Sequence, residues 1–132
     1  MPRICWPLRI ERPVIEVVLT LAHGGQKTVR SLLADTGAGA QQAAFELVLD
    51  EHDCVLAGGK STHAIELGGS YSGSYPLYAV RVEVPQLNFA DDVFAVGIPT
   101  PPLGFDGIAG FRFLNRFTYG NFGNRLTFGL ET

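Results

Sequence analysis

The stretch "RSLLADTGAGAQQ", Arg30 to Gln42, ends an apolar run in an acid and follows that acid with small residues. A carboxylate at the mouth of a buried strand is costly to desolvate unless it is paired or used. Asp35 is therefore the residue to explain. Asp, Thr and Gly all favour turns, through side-chain bonds to the backbone and through positive φ. Six Asp, 13 Ser or Thr and 16 Gly in 132 residues give about 0.07 chance copies of Asp-Thr-Gly, so the triplet acquires meaning only from its surroundings.

Those surroundings read as strand upstream. "VIEVVLTLA" (Val14 to Ala22) is β-branched and apolar, "GGQ" (Gly24 to Gln26) turns it back, and "KTVRSLLA" (Lys27 to Ala34) returns into Asp35. Downstream, Ala43 to Leu49 fits a short helix or a strand equally. "STHAIEL" and "YPLYAVRVEV" flank the glycine- and serine-rich tip "GGSYSGS", which reads as a long hairpin. "NFADDVFAVGI" is a further strand, "PTPPLGFDG" a proline-rich loop, "IAGFRFLNRF" a short helix near the C-terminus, and "RLTFGL" a closing strand. The pattern predicts an all-β chain of about seven strands with one short C-terminal helix, folded as a closed or partly open β-barrel.

Bulk composition is consistent with this. A length of 132 residues predicts a single domain, 1–132; charged residues are sparse at 17% and the net charge is −3. With no basic block, neither nucleic acid nor a membrane surface is an expected partner. The N-terminal "MPRICWPLRIERP" lacks the unbroken apolar run of a secretion signal. Cys5 and Cys54 are expected as reduced thiols, and the chain as a soluble cytoplasmic protein.

Asp35 at a strand end, a hairpin with a glycine-rich tip, and "GFDGIAGFRFL" leading into a helix occur in an order that resembles the retropepsin-like aspartic proteases. These are single-domain enzymes that act as homodimers. The resemblance spans most of the chain and implies an acid-protease barrel. Asp35-Thr36-Gly37-Ala38 match the family's active-site loop, Gly68, Gly69, Ser70, Tyr71, Ser72 and Gly73 its flap, and Ile108-Ala109-Gly110 its apolar-apolar-Gly segment. Two positions depart from the family pattern. Gly39 stands where Ser, Asp or Thr is usual, and Ala109 where a larger aliphatic is commoner.

The chemistry behind the resemblance needs two carboxylates. At about 3 Å, like charges share one proton, so one acts as base while the other acts as acid. This chain has one Asp-Thr-Gly, which implies a second copy of Asp35 across a two-fold axis. Thr36 would bond across that axis, the Gly37 N–H would approach the carboxylate, and Ala38 would offer it no hydroxyl. The hairpin tip, with Tyr71 toward the substrate, would close on an extended peptide or protein segment. Val29, Leu33, Ile65, Val96 and Ile98 are candidates for apolar side pockets.

The expected function is therefore an aspartic endopeptidase using Asp35, active at acidic to neutral pH, with no metal and no organic cofactor. The alternatives are the same fold kept as a catalytically inactive dimerisation or peptide-binding module, or a monomeric small-molecule-binding barrel. Other motifs argue for less. "DTGAGA" lacks the third glycine of a dinucleotide loop, since Gln42 occupies that place. "EHDC" (Glu51 to Cys54), even with His23 and His63, fits no standard metal spacing and reads as a solvated turn. In "GSYSG" the central residue is Tyr71, so no serine nucleophile is in register. Asp91-Asp92 read as a surface loop, and Asp106 as the organiser of the turn before Ile108.

Overall fold

β2 (Val14–Thr20) begins a barrel that the rest of the chain closes, in a computed structural model describing residues 2–132. Ile15, Val17 and Leu19 are fully buried while Glu16 is exposed, which is the period of two expected of a strand with one face inward. β2 pairs antiparallel with β3 (Lys27–Ala34), Val14 opposite Leu33. The chain then forms β4 (Leu47–Asp50), β5 (His63–Leu67), β6 (Gly73–Val84), β7 (Phe89–Ile98) and β8 (Gly107–Ala109). In space the order is β2-β3-β8-β4-β7-β6, and β6 returns to β2 through Val18↔Glu83 and Thr20↔Arg81. This is a closed six-stranded β-barrel, and closure leaves none of its six strands with a bare edge. β5 alone extends outward, paired only with β6.

The connectivity is not a simple meander. β8 lies between β3 and β4, parallel to the first (Ala34↔Ala109) and antiparallel to the second (Leu47↔Ala109). The connection from β3 to β4 must therefore pass around the end of β8. The buried apolar residues form one cluster spanning the barrel and its covering elements.

Three strands from the two ends of the chain lie outside the barrel. β1 (Arg3–Pro7) and β9 (Thr118–Gly120) flank β10 (Thr127–Glu131) in a separate three-stranded sheet. Both are short, and β1 ends in a proline, so neither carries enough alternation to stand out in sequence.

The segment left open between helix and strand, Ala43 to Leu49, ends in strand, and a helix that the sequence pattern did not indicate comes after it. β4 is followed directly by α1 (Glu51–Gly58), which packs over β6 and β7. "EHDC" is thus the first turn of this helix and not a solvated turn. The Asp50 side chain accepts the His52 N–H at 2.8 Å as the N-cap, and Glu51 and Asp53 favour the positive end of the helix. Asp53 is buried and accepts two bonds from Arg30, at 2.8 and 2.9 Å. That paired geometry offsets the desolvation of both charges. Asp91 and Asp92 lie within β7 and not in a loop. Asp106 holds its turn, its Oδ2 accepting the Ser31 N–H at 2.8 Å.

The short C-terminal helix is α2, Phe111–Leu114. It is fastened by Phe113, fully buried, in edge-to-face contact with Phe89 and Phe117 at 5.7 and 5.6 Å between ring centres.

Burial on α1 pushes the Cys54 thiol up to about 12, with nearby Asp53, Asp50 and Glu51 adding to the effect, whereas Cys5 is exposed. Alkylation of the native protein with iodoacetamide at about pH 8 is expected to modify Cys5 alone. Mass spectrometry should find Cys54 modified only after denaturant is added, and early labelling of Cys54 would contradict this packing.

Candidate active site

Asp35 stands immediately after β3, half-buried, where its backbone N–H donates to the Ala109 carbonyl at 3.0 Å and continues the β3–β8 pairing. Its Oδ1 accepts the Gly37 N–H at 2.9 Å, and its carbonyl accepts the Ala38 N–H at 3.1 Å. The triplet is therefore a turn, as its composition demands, and the same turn fixes the direction of a carboxylate. Thr36 is exposed at the tip.

The loop then wraps the end of β8. The Gly110 N–H donates to the Glu46 carbonyl at 2.9 Å, and the Phe111 N–H donates to the Ala38 carbonyl at 2.9 Å. Gly110 is squeezed between the two limbs of the loop. A Cβ there would lie 2.8 Å from the Ala38 oxygen and 3.1 Å from that of Glu46. Glycine at this place is a requirement of close approach.

Gly39 also has a structural reason. Its φ is +78°, and a side chain would press on Phe45 and Ala43 at 3.1 and 3.2 Å. A Ser, Asp or Thr would be strained in that backbone, so the loop is held from elsewhere. The holding groups come from α2 and the residues after it. The Arg112 guanidinium donates to the Ala43 carbonyl at 2.7 Å, and the Asn115 amide to Gln41 Oε1 at 2.7 Å. Arg116 grips both oxygens of Glu46, each at 2.7 Å, and reaches Asp91 at 3.0 Å. Glu46 is only 4% exposed. Its charge is tolerable there because Arg116 satisfies it in fork-to-fork fashion, with Arg112 Nε a further 3.8 Å away. The Glu46 bonds in turn hold the Arg116 guanidinium above its ordinary range.

Opposite the loop is the β5–β6 hairpin. Its tip is a single 3-10 turn, Gly69–Tyr71, closed by the Ser72 N–H donating to the Gly69 carbonyl at 3.2 Å. Tyr71 is half-buried against the core, and burial pushes its phenol up, with Tyr75 adding to the effect. A cleft of about 480 Å³ separates hairpin and loop. Asp35, Gly37, Ala38 and Gly39 line one side, and Glu66, Leu67, Gly68, Gly69, Ser70 and Tyr71 the other. Phe45, Val48 and Ile108 form its apolar floor.

The structure thus brings together Asp35, Gly37, Ala38, most of the hairpin tip and Ile108, which sequence reasoning singled out separately. Thr36, Ser72, Gly73, Ala109 and Gly110 do not line the cleft; Ala109 and Gly110 act through the backbone bonds just described. The apolar side-pocket candidates are corrected. Val29 is 56% exposed, Val96 and Ile98 are fully buried in the core, and neither Leu33 nor Ile65 borders the cleft. Those expectations depended on an unverified inside-or-outside register, which the pleat reverses at every residue.

Sequence reasoning missed Phe45, Val48, Glu46, Arg112, Asn115 and Arg116. The one available signal was the four-residue spacing of Arg112 and Arg116 in a chain with few charges. No group of three or more His, Cys, Asp or Glu side chains among the described residues is arranged to hold a metal ion. No helix of the described residues is long and apolar enough to cross a membrane.

No family model, curated protein or solved structure matches this chain.

Replacing Arg116 with Ala strands the buried Glu46 carboxylate, and a loss of about 3 kcal/mol in urea unfolding is expected. The double replacement Glu46→Gln with Arg116→Gln should recover part of that loss, because no buried charge is then left unpaired.

Proposed function

We propose that the chain is an aspartic endopeptidase of retropepsin type, built as a homodimer in which two Asp35 carboxylates share one proton. One observation carries the reading: a half-buried aspartate held by a tight turn faces a glycine-rich hairpin tip across a cleft. The cleft has an apolar floor of Phe45, Val48 and Ile108, and Asp35 is the acid on the loop side. A concave apolar site with a few convergent polar groups suits a substrate side chain and the bond beside it.

The hairpin supplies a means of holding an extended peptide. Ala64 lies opposite Pro76, which has no N–H, so that pair cannot be hydrogen-bonded within the ladder. Alternation then assigns the ladder bonds to Ile65 and Leu67 and turns the backbone groups of Ala64 and Glu66 to the open edge. An added strand would bond to those groups, whatever its side chains, while the floor selects by shape.

In the proposed reaction one carboxylate takes a proton from water as the oxygen attacks the peptide carbonyl. The other, carrying the shared proton, gives it to the departing amine. Because the proton is shared only between the dyad's two apparent pKa values, activity should be bell-shaped in pH and fall off on both sides of an acidic-to-neutral window. Exposed Thr36 at the tip of each loop is free to meet its symmetry mate.

The test is hydrolysis of a mixed peptide library, with sedimentation analysis of mass. Cleavage by a dimer, lost by about a thousandfold or more in Asp35→Asn, is expected. A dimer that binds peptides without cutting them would favour the inactive peptide-binding module, and a monomer would end the dyad proposal.

A further inference from the structure

The turn joining β1 to β2 gathers arginines that have no ion pair among the described residues. Arg9 and Arg12 bond to each other's backbone, N–H to carbonyl at 2.9 Å in both directions, with Ile10 and Glu11 at the tip. The Leu8 N–H donates to the Leu126 carbonyl at 3.0 Å, which brings Arg125, one residue earlier in the chain, to the same turn. Arg9, Arg12 and Arg125 are all exposed. Of the ten Lys and Arg side chains, six are ion-paired among the described residues. Three of the remaining four are these arginines, the fourth being Lys60. In a chain of net charge −3, this is a local excess of positive charge over Glu11 at the tip and Glu16, which lines a hollow with Arg9.

Apolar side chains interleave with it. Ile10 is 65% exposed, Leu103 95% and Leu126 74%. The Arg9 guanidinium donates to the Gly104 carbonyl at 3.3 Å, and a Cβ on Gly104 would lie 2.6 Å from Ile10 Cδ1, so the 102–105 loop adjoins the turn. The tip is also conformationally unfavourable. Ile10 and Glu11 have φ of +51° and +60°, where Asn or Gly is the ordinary choice and a β-branched residue is an outlier. The turn thus holds an exposed isoleucine in a backbone that disfavours it, a form of strain that concentrates at ligand sites.

We infer that this surface, Arg9, Ile10, Arg12, Leu103, Arg125 and Leu126, docks an acidic polypeptide segment that carries apolar side chains. Charge complementarity selects the acid, and the exposed aliphatics select a peptide over a polyanion. Three arginines fall short of the half-dozen or more phosphate contacts that sustain nucleic-acid binding, and a phosphate backbone would leave the aliphatics uncovered. Three basic groups alone hold an anionic bilayer weakly. Two copies of the turn would set arginines against arginines, so self-association here is repulsive. The inference does not depend on chemistry at Asp35.

The experiment is fluorescence anisotropy with a labelled peptide of alternating Glu and Leu. Parallel titrations use an alternating Lys-Leu peptide, single-stranded DNA and phosphatidylserine vesicles, with oligomeric mass recorded throughout. The Glu-Leu peptide is expected to bind, more weakly as salt rises, and the Lys-Leu peptide not to bind. Neutralising the surface (Arg9→Ser, Arg12→Ser, Arg125→Ser) should weaken binding by about tenfold or more. Lys60→Ser, the charge control, should leave binding unchanged. Leu103→Ser, at a side chain that contributes nothing to the core, should weaken it by about threefold or more. Binding unaffected by the arginine replacements, or no peptide binding at all, would overturn the inference. So would preference for DNA or vesicles, or a change of oligomeric mass on removing the arginines.

Discussion

A carboxylate almost sealed from water, Glu46, is tied by both oxygens to Arg116, while its backbone carbonyl receives the Gly110 N–H. These bonds join the end of the Asp35 loop to α2 and to the end of β8. If the pair is broken, the loop loses its far anchor, and Asp35 is left to the turn at Gly37 and to the bonds from Phe111, Arg112 and Asn115 to the rest of the loop. Buried ion pairs stabilise little compared with apolar packing, but they specify one arrangement, since a misplaced charge has no low-energy alternative. The site's geometry rests on that specificity.

The barrel supplies the frame in which this pair can form. β8 lies between β3 and β4, so the connection between those two strands has to go around it. Gly110 permits the passage by having no side chain, and the Phe89–Phe113–Phe117 cluster holds α2 and the residues after it against the barrel, where Arg116 reaches Glu46. Gly39 also has its place in this frame. The backbone there is left-handed, and the loop around it is held by Arg112, Asn115 and Arg116.

The site of the proposed function and that of the inferred interaction lie on different parts of the surface. The cleft between Asp35 and the hairpin tip has an apolar floor and backbone groups turned to an open edge, features suited to extended peptides of varied sequence. The β1–β2 turn instead has exposed charge mixed with aliphatic side chains, features suited to one kind of partner. Pro13 links the two, since its carbonyl accepts the Ala34 N–H one residue before Asp35.

Sequence alone determined the two strands that lead to Asp35 and the later hairpin, because local alternation and glycine turns are short-range properties that each segment carries by itself. β3 in particular runs from Lys27 to Ala34, as its pattern indicated. It also determined that Asp35, the hairpin tip and the Gly107–Gly110 segment are the parts worth joining. Tertiary structure alone decided which buried charges pair, as Glu46 does with Arg116 across 70 residues and Arg30 with Asp53 across 23. It alone decided which apolar side chains line the cleft, so that Val96 and Ile98 went to the core and Phe45 and Val48 to the site. The physical reason is the same in both cases. Pairing of charges and the inward or outward sense of a strand are fixed by neighbours distant in the chain, and a one-residue change of register would reverse them with no change in composition.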